Sequence, residues 1–474
     1  MKVPSEHDIL HRDLCIVTGG IIPDDEFTGA NIPALAYAAA NALSIDEIPE
    51  ITFYSKGDFN SLFRLDFVHH DRKLLARVPL RIRYQNAFQI ESTVATMSFA
   101  RHIRGVPTPR IVAWNPSKDS PVGAPYILQE YVDNVIEPWR RWRAWSDEQR
   151  SQILYDLARI HATLLEPLPV PLQDVGNLAF APGLSAVADL ADPASYIVKP
   201  LQLRHLWASI EWRRMEPFIA STSTLHRLWE ELWSHHRSRS ICGSDIDREV
   251  LDLSDDDDDG SEDENCDLAS FTAVADNVRI VAEDALRMLA QFPQYAQPCL
   301  VNYDYAYRNI LLDSDTLRVK ALIDWDDVHV MPFIVGIDFP EDITQFSTYG
   351  LAPDSNYYRE GIFPSFPPDE YEEITGAVDA DGKFAGQAEQ GNSIDVDQRN
   401  QRIRDTMSRE TYIRALQSQD GRVSQPDMWE VRRKVLKAHH LLTEGGWMWW
   451  SKREWLQMQA SGIGEDTVNM NVCR

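Results

Sequence analysis

Val301–Asp313 reads VNYDYAYRNILLD, in which Asp304 stands five residues before Asn309 inside a tyrosine-rich loop that runs straight into an apolar strand. The next apolar run, VKALIDW, closes on Asp324, fifteen residues after Asn309. A strand, a tight turn and a returning antiparallel strand fit that interval, and they would carry Asp324 back beside the loop.

Oxygen-bearing side chains at this spacing suit phosphoryl transfer, which asks a protein mainly for positioning and charge. The reaction needs a carboxylate beside the acceptor hydroxyl and oxygen ligands for a Mg²⁺ ion on the phosphates. Asp304 fits the first task; Asn309 and Asp324 fit the second. D-x-x-x-x-N is by itself a weak signal, because Asp and Asn are ordinary turn residues and Asp324 could simply end its strand.

Outward from the loop, the texture upstream changes the weighing. ITFYS, SLFRLDFV, KLLARVPL, RIVAW and PYILQEYV, between residues 51 and 132, are short runs rich in β-branched and aromatic residues, separated by turn signals. One helical stretch, about 86 to 103, follows the third run. Five strands and one helix make a small α+β lobe. From about 133 the pattern turns helical. SDEQRSQILYDLARIHATLLE opens with a capping box, Ser146 to Gln149, and sets Ile153, Leu157, Ile160 and Leu164 on one face. Further helices are expected over 201–220, 270–292 and 427–458.

D-x-x-x-x-N, an apolar strand and I-D-W, preceded by GDFNSLFRLDF, LLARVPL, ESTVATMSFARHIRGVPTPRIVAW and GAPYILQEYV, resemble the aminoglycoside phosphotransferase and choline kinase-like family, particularly its fungal-type members. The resemblance spans about residues 50 to 345. It implies a bilobal protein kinase-like fold: an N-terminal extension (1–49), a five-stranded nucleotide-binding lobe (50–132) and a mainly helical catalytic and acceptor lobe (133–474). It also implies ATP and Mg²⁺ as cofactors and a small molecule, whose identity the fold does not choose, as acceptor. Residue by residue, Asp304 matches the catalytic aspartate, and Asn309 and Asp324 the metal ligands. Arg77 stands where the family places a basic residue against the phosphates. Gly57, Asp58, Phe59 and Asn60 match the turn over the phosphates, and Gln129, Glu130, Tyr131 and Val132 the hinge that reads the adenine edge.

Three positions depart from the family pattern. Asn302 replaces a histidine that braces the loop, though an amide can make some of the same hydrogen bonds. Thr93 stands where the helix offers a glutamate to the basic residue, and Glu91 lies about 200° away around the helix; Arg77 then lacks its restraining partner. The phosphate turn has a single glycine. A kinase-like protein that binds nucleotide or a partner without turnover is therefore the alternative to an active small-molecule kinase. Protein phosphorylation is a third reading, disfavoured because no A-P-E segment follows IDWDD.

Bulk properties narrow the classes. The 474 residues carry a net charge of −27 with no basic stripe, which argues against nucleic-acid binding. Between Asp245 and Asp267 lie 13 acids and one base, and the 241–266 stretch is expected to be a disordered insertion, a candidate surface for a protein partner. Ser254 and Ser261, each followed by acids, are candidate phosphorylation sites. A second polar insertion is expected at 375–398. Five scattered cysteines, no basic-then-apolar leader and no run of 18 apolar residues lead to the expectation of a cytoplasmic protein without a membrane span. His161 is expected to be packed or half-exposed in its helix, His439 and His440 to lie on a solvated face, and the tryptophans of GGWMWWSKREW to pack in the core or between helices, with an aromatic wall for a substrate as the alternative. Glu91 is expected to serve as an acid near its helix start.

Overall fold

A computed structural model describes residues 29–57, 59–80, 87–183, 190–203, 218–219, 224–241, 268–343, 396–445, 449–450 and 452–461. The acidic stretch, with Ser254 and Ser261, and most of the second insertion lie outside the described residues, as does Asp58. Residues 396–398 of that insertion are the first of the helix Val396–Gln419.

The chain divides into two compact units, and the first gathers Met1–Pro138, Asn177–Lys199 and Asn309–Val328. Its sheet is built from β1 (Glu50–Lys56), β2 (Asn60–Phe67), β3 (Arg72–Pro79), β4 (Ile111–Asn115) and β5 (Tyr126–Glu130), all antiparallel, in the order β1-β2-β3-β5-β4. In β2 the alternation is strict: Ser61, Phe63, Leu65 and Phe67 are buried and the residues between them are not, the period that a half-covered sheet requires. The covering comes from an unexpected direction. Helix α1 (Ile32–Leu43), capped by the Asn31 side chain on the Ala34 N–H at 3.1 Å, puts Leu35, Ala36, Ala39 and Ala40 into one core with Phe63, Leu65 and Leu128. The other helix, α2 (Ala87–His102), follows β3 as its sequence predicts.

Two hairpins complete this unit. Strands Asn177–Phe180 and Tyr196–Lys199 pair together and lie against α2, where Lys199 Nζ meets the Glu91 carboxylate at 3.0 Å and Asn177 donates to Ser92 Oγ at 3.3 Å. Ile310–Asp313 and Val319–Leu322 form the second hairpin, in the register Ile310↔Leu322. Val135–Ile136 pairs along its outer edge, and the Leu322 N–H donates to the Pro107 carbonyl at 2.8 Å.

The second unit comprises Trp139–Gly176, Pro200–Arg308 and His329–Arg474 and is mainly helical. Its helix Asp147–Leu165 begins with the predicted capping box, in which Ser146 Oγ accepts from the Gln149 N–H and Gln149 Oε1 from the Ser146 N–H. This helix packs on Val396–Gln419, and Leu268–Leu289 packs on Met428–Glu444 and Arg453–Ala460. The helix expected over 201–220 is corrected at its ends, where Gln202–Leu203 and Phe218–Ile219 pair as short strands. Trp449 is fully buried, stacked on Phe271, with its indole N–H on the Leu441 carbonyl at 2.7 Å, as core packing requires.

Candidate functional site

In the first unit the hairpin sets the geometry. The Ile323 N–H donates to the Asn309 carbonyl at 2.9 Å, so the chain is drawn together just before Asp324. Asn309 is buried, whereas the Asp324 carboxylate is 45% exposed. Asp324 adopts φ 55°, the left-handed region that L-residues enter at a cost and aspartate more readily than most. Trp325 anchors the turn from beneath, buried with its indole N–H on the Leu322 carbonyl at 2.8 Å.

Arg77 lies in β3 between Leu62 of β2 and Ile127 of β5 and is 8% exposed. A charge this deep in a protein needs partners to offset lost hydration. It has them. Its guanidinium forms a buried ion pair with Asp326 and approaches Asp324 Oδ1 at 3.5 Å. With the Asn60 amide oxygen turned inward, that oxygen accepts from Arg77 Nε at 3.0 Å and Nη2 at 2.7 Å. The expectation that Arg77 lacks a restraint because of Thr93 is thus corrected, since the carboxylate comes from the loop after Asp324. Thr93 Oγ1 donates to Asp326 Oδ1 at 2.8 Å, and Gln89 donates to the Asp326 carbonyl at the same distance. Glu91 faces elsewhere, toward Lys199. Because α2 begins at Ala87, Glu91 also lies beyond the first turn, which corrects its expected role there.

The turn between β1 and β2 is closed by the Gly57 N–H on the Asn60 carbonyl at 2.9 Å, while the Phe59 carbonyl accepts from the Leu80 N–H at 2.9 Å. Of the expected hinge, Gln129 and Glu130 end β5, Gln129 buried and Glu130 half-buried. Tyr131 and Val132 follow it outside any strand, with the Tyr131 N–H on the Lys73 carbonyl at 3.2 Å. The Tyr131 ring packs edge-on against Tyr54.

In the second unit, Asp304 sits in a loop braced by buried tyrosines. Tyr305 donates its hydroxyl to the Leu157 carbonyl at 2.8 Å, and the Tyr307 N–H donates to Asp342 at 2.5 Å. Asn302 Oδ1 accepts from the Asp304 N–H at 2.9 Å, so the amide does brace the loop. Its Nδ2, buried, has no hydrogen-bond partner among the described residues. Asp304 itself is paired with Arg308, which also meets Glu341 at 2.7 Å. Beside the loop is a small pocket of about 40 Å³ lined by Asn302, Tyr303, Tyr305, Asp338, Glu341 and His440, among others.

His161 is buried, bonded to the Tyr412 hydroxyl at 2.6 Å and the Gly336 carbonyl at 2.9 Å, and burial pushes its pKa down to about 4. The solvated face expected for His439 and His440 is corrected. His439 is buried between Trp229 and Tyr303, held by the Tyr303 hydroxyl at 3.0 Å, with its pKa also pushed down to about 4 by burial; His440 is partly buried.

Sequence reasoning missed Asp326, Gln89 and Arg308. The signal for Asp326 was a second acid two places after Asp324, separated by a buried tryptophan. Among the described residues no three His, Cys, Asp or Glu side chains cluster as a metal site. Asn309 and Asp324 instead offer hard oxygen donors from the two ends of one hairpin, a set that fits Mg²⁺ completing its shell with phosphates and water.

The model of the phosphotransferase enzyme family matches residues 60–335, more than half of the chain. A subtelomeric hrmA-associated cluster protein of Aspergillus fumigatus is 22% identical over 320 residues, covering 62% of this chain and 60% of that protein. The mitochondrial protein "altered inheritance of mitochondria protein 9" of Lachancea thermotolerans is 21% identical over 334 residues, covering 64% and 52%. The chain thus spans between half and two thirds of the length of these relatives. Among solved structures, aminoglycoside phosphotransferase APH(4)-Ia overlaps with a TM-score of 0.35 at 12% identity, over 91% of this chain and 98% of that one. The streptomycin–ATP complex of APH(2")-IIa overlaps with a TM-score of 0.33 at 14% identity, over 63% and 72%. No helix among the described residues is long and apolar enough to cross a membrane.

Proposed function

The chain belongs to the phosphotransferase enzyme family, and we propose that it transfers the γ-phosphoryl group of ATP to a hydroxyl of a small molecule. The observation that carries this reading is the buried Arg77, held by Asp326 and Asn60 within 3.5 Å of the half-exposed Asp324 on a hairpin that also holds Asn309. Nothing in packing alone favours a strained aspartate beside a buried arginine.

In this reading Asp304 orients the acceptor hydroxyl and takes its proton as the oxygen attacks the γ-phosphorus; the bond to the bridging oxygen breaks and ADP leaves. Asn309 and Asp324 hold Mg²⁺, which when bound offsets charge on the phosphates. Arg77 meets the phosphates, Gly57 to Asn60 cover them, and Gln129 to Val132 present backbone groups to the adenine. The scattered cysteines favour a reducing compartment, and we place the protein in the cytoplasm; the label on the Lachancea relative makes the mitochondrion the alternative, which cell fractionation decides.

One observation favours a second reading, nucleotide or partner binding without turnover: Arg308 already occupies Asp304. Thermal shift with ATP and Mg²⁺, followed by an ADP-release screen of small alcohols and amino alcohols, separates the two. Stabilisation of wild type that Asp324→Ala abolishes, with release above the water-only rate for some acceptor, supports the enzyme. Stabilisation without release for any acceptor supports the second reading. No stabilisation at millimolar nucleotide overturns both the kinase and the nucleotide-binding form of its rival.

A further inference from the structure

Asp326 divides its work between two elements. Its Oδ2 takes the Arg77 guanidinium, its Oδ1 takes the Thr93 hydroxyl at 2.8 Å, and its carbonyl takes the Gln89 amide at 2.8 Å. All four residues are buried. We infer that Asp326 is the positioning carboxylate for the phosphate-binding arginine, so that the charge expected on α2 at position 93 has moved to the loop of the metal hairpin.

The two positions are complementary. A glutamate at 93 beside Asp326 would set two carboxylates against one guanidinium in a dry site, where like charges repel strongly and one would have to take up a proton. A threonine there supplies the opposite: a neutral donor that satisfies the oxygen Arg77 leaves over. Gln89, one helical turn earlier, contributes a second donor to the same residue. The helix therefore offers hydrogens, not charge. In consequence the charge that aligns Arg77 comes from the hairpin that carries Asn309 and Asp324, and α2 acts on it through the hydrogen bonds of Thr93 and Gln89 to Asp326.

This assignment rests on the proposed contact between Arg77 and ATP. The test uses the full chain and measures the dissociation constant for Mg·ATP by calorimetry, with the denaturant unfolding midpoint alongside. Asp326→Asn is expected to weaken Mg·ATP binding about tenfold, as loss of a charged hydrogen bond does. Adding Thr93→Glu to Asp326→Asn restores a carboxylate to the arginine, and binding returns to within about threefold of wild type. A merely structural role would lower the folded fraction and leave the affinity of the folded molecules alone. Should Asp326→Asn fail to fold, Thr93→Val keeps the charge and removes only the hydroxyl, and about a twofold to threefold weakening is expected. Wild-type affinity in Asp326→Asn or in Thr93→Val, with binding lost in Arg77→Gln, overturns the positioning role and leaves the kinase reading intact. A loss that neither Thr93→Glu nor Asp326→Glu restores also overturns it. Absence of Mg·ATP binding by wild type overturns both.

Discussion

The cluster around Arg77 and the loop with Asp304 hold the same kind of charge pair in opposite ways. Around Arg77 the ions are buried, and each has a second, neutral partner: Asn60 for the guanidinium, Thr93 and Gln89 for Asp326. Around Asp304 the arginine is 48% exposed on its side chain, shared with Glu341, and a nearby Asn302 nitrogen has no partner among the described residues. Buried pairs are rigid and costly to break, while exposed ones exchange readily and are worth little. The difference teaches that this chain has invested its rigidity in one charged cluster and left the other able to rearrange, as the proposed role of Asp304 requires: release of Arg308 to meet an acceptor hydroxyl.

The comparison is broken most severely at Asp304. Asp304→Asn is expected to lower kcat about 10²–10⁴-fold with Mg·ATP affinity nearly unchanged, measured by steady-state kinetics and calorimetry. Arg77→Met leaves Asp326 buried without its charge partner and should cost about 3–5 kcal/mol in denaturant unfolding. Arg308→Ala removes an exposed pair, so stability should move by less than about 1 kcal/mol; if the two clusters are as different as their burial says, the same assay resolves them.

A pH series sharpens the contrast from another side. His161, ordinarily near 6.5, is held at about 4 when folded, so the unfolded chain binds the extra proton between those values. Stability from this group is present above the unfolded value and lost as pH falls from about 6.5 toward 4, by up to about 3 kcal/mol. In His161→Gln the drop in Tm between pH 7 and pH 4.5 should be smaller than in wild type. The smallest effect is expected at Glu91→Gln, whose pair with Lys199 is partly exposed: about 0–1 kcal/mol, and no change in Mg·ATP affinity. A larger change there would mean that the Glu91 carboxylate also helps to align Arg77.

Local signals were readable where local physics decides. Alternation in SLFRLDFV gave β2, the Ser146–Gln149 box gave a helix start, and the interval from Asn309 to Asp324 gave the hairpin that the Ile310↔Leu322 register bears out. Burial of long-range partners was not readable. Asp326 lies 249 residues from Arg77 along the chain, and no periodicity links them. His439 and His440 follow two lysines, which pointed to solvent, but Trp229 and Tyr303 enclose the first of them. Glu91, about 200° around α2 from Thr93, found its counter-ion in a hairpin whose place beside α2 no local pattern announces.

The backbone twist at Asp324 has a consequence for descent. Glycine meets φ 55° without the roughly 1–2 kcal/mol that a side chain costs in that region, an advantage partly returned through a freer unfolded chain. A lineage that had given up phosphoryl transfer would find the substitution to glycine close to neutral for folding and open to drift. Persistence of a carboxyl group at this site among sister sequences would then be a signature of selection on chemistry, separable from selection on the fold.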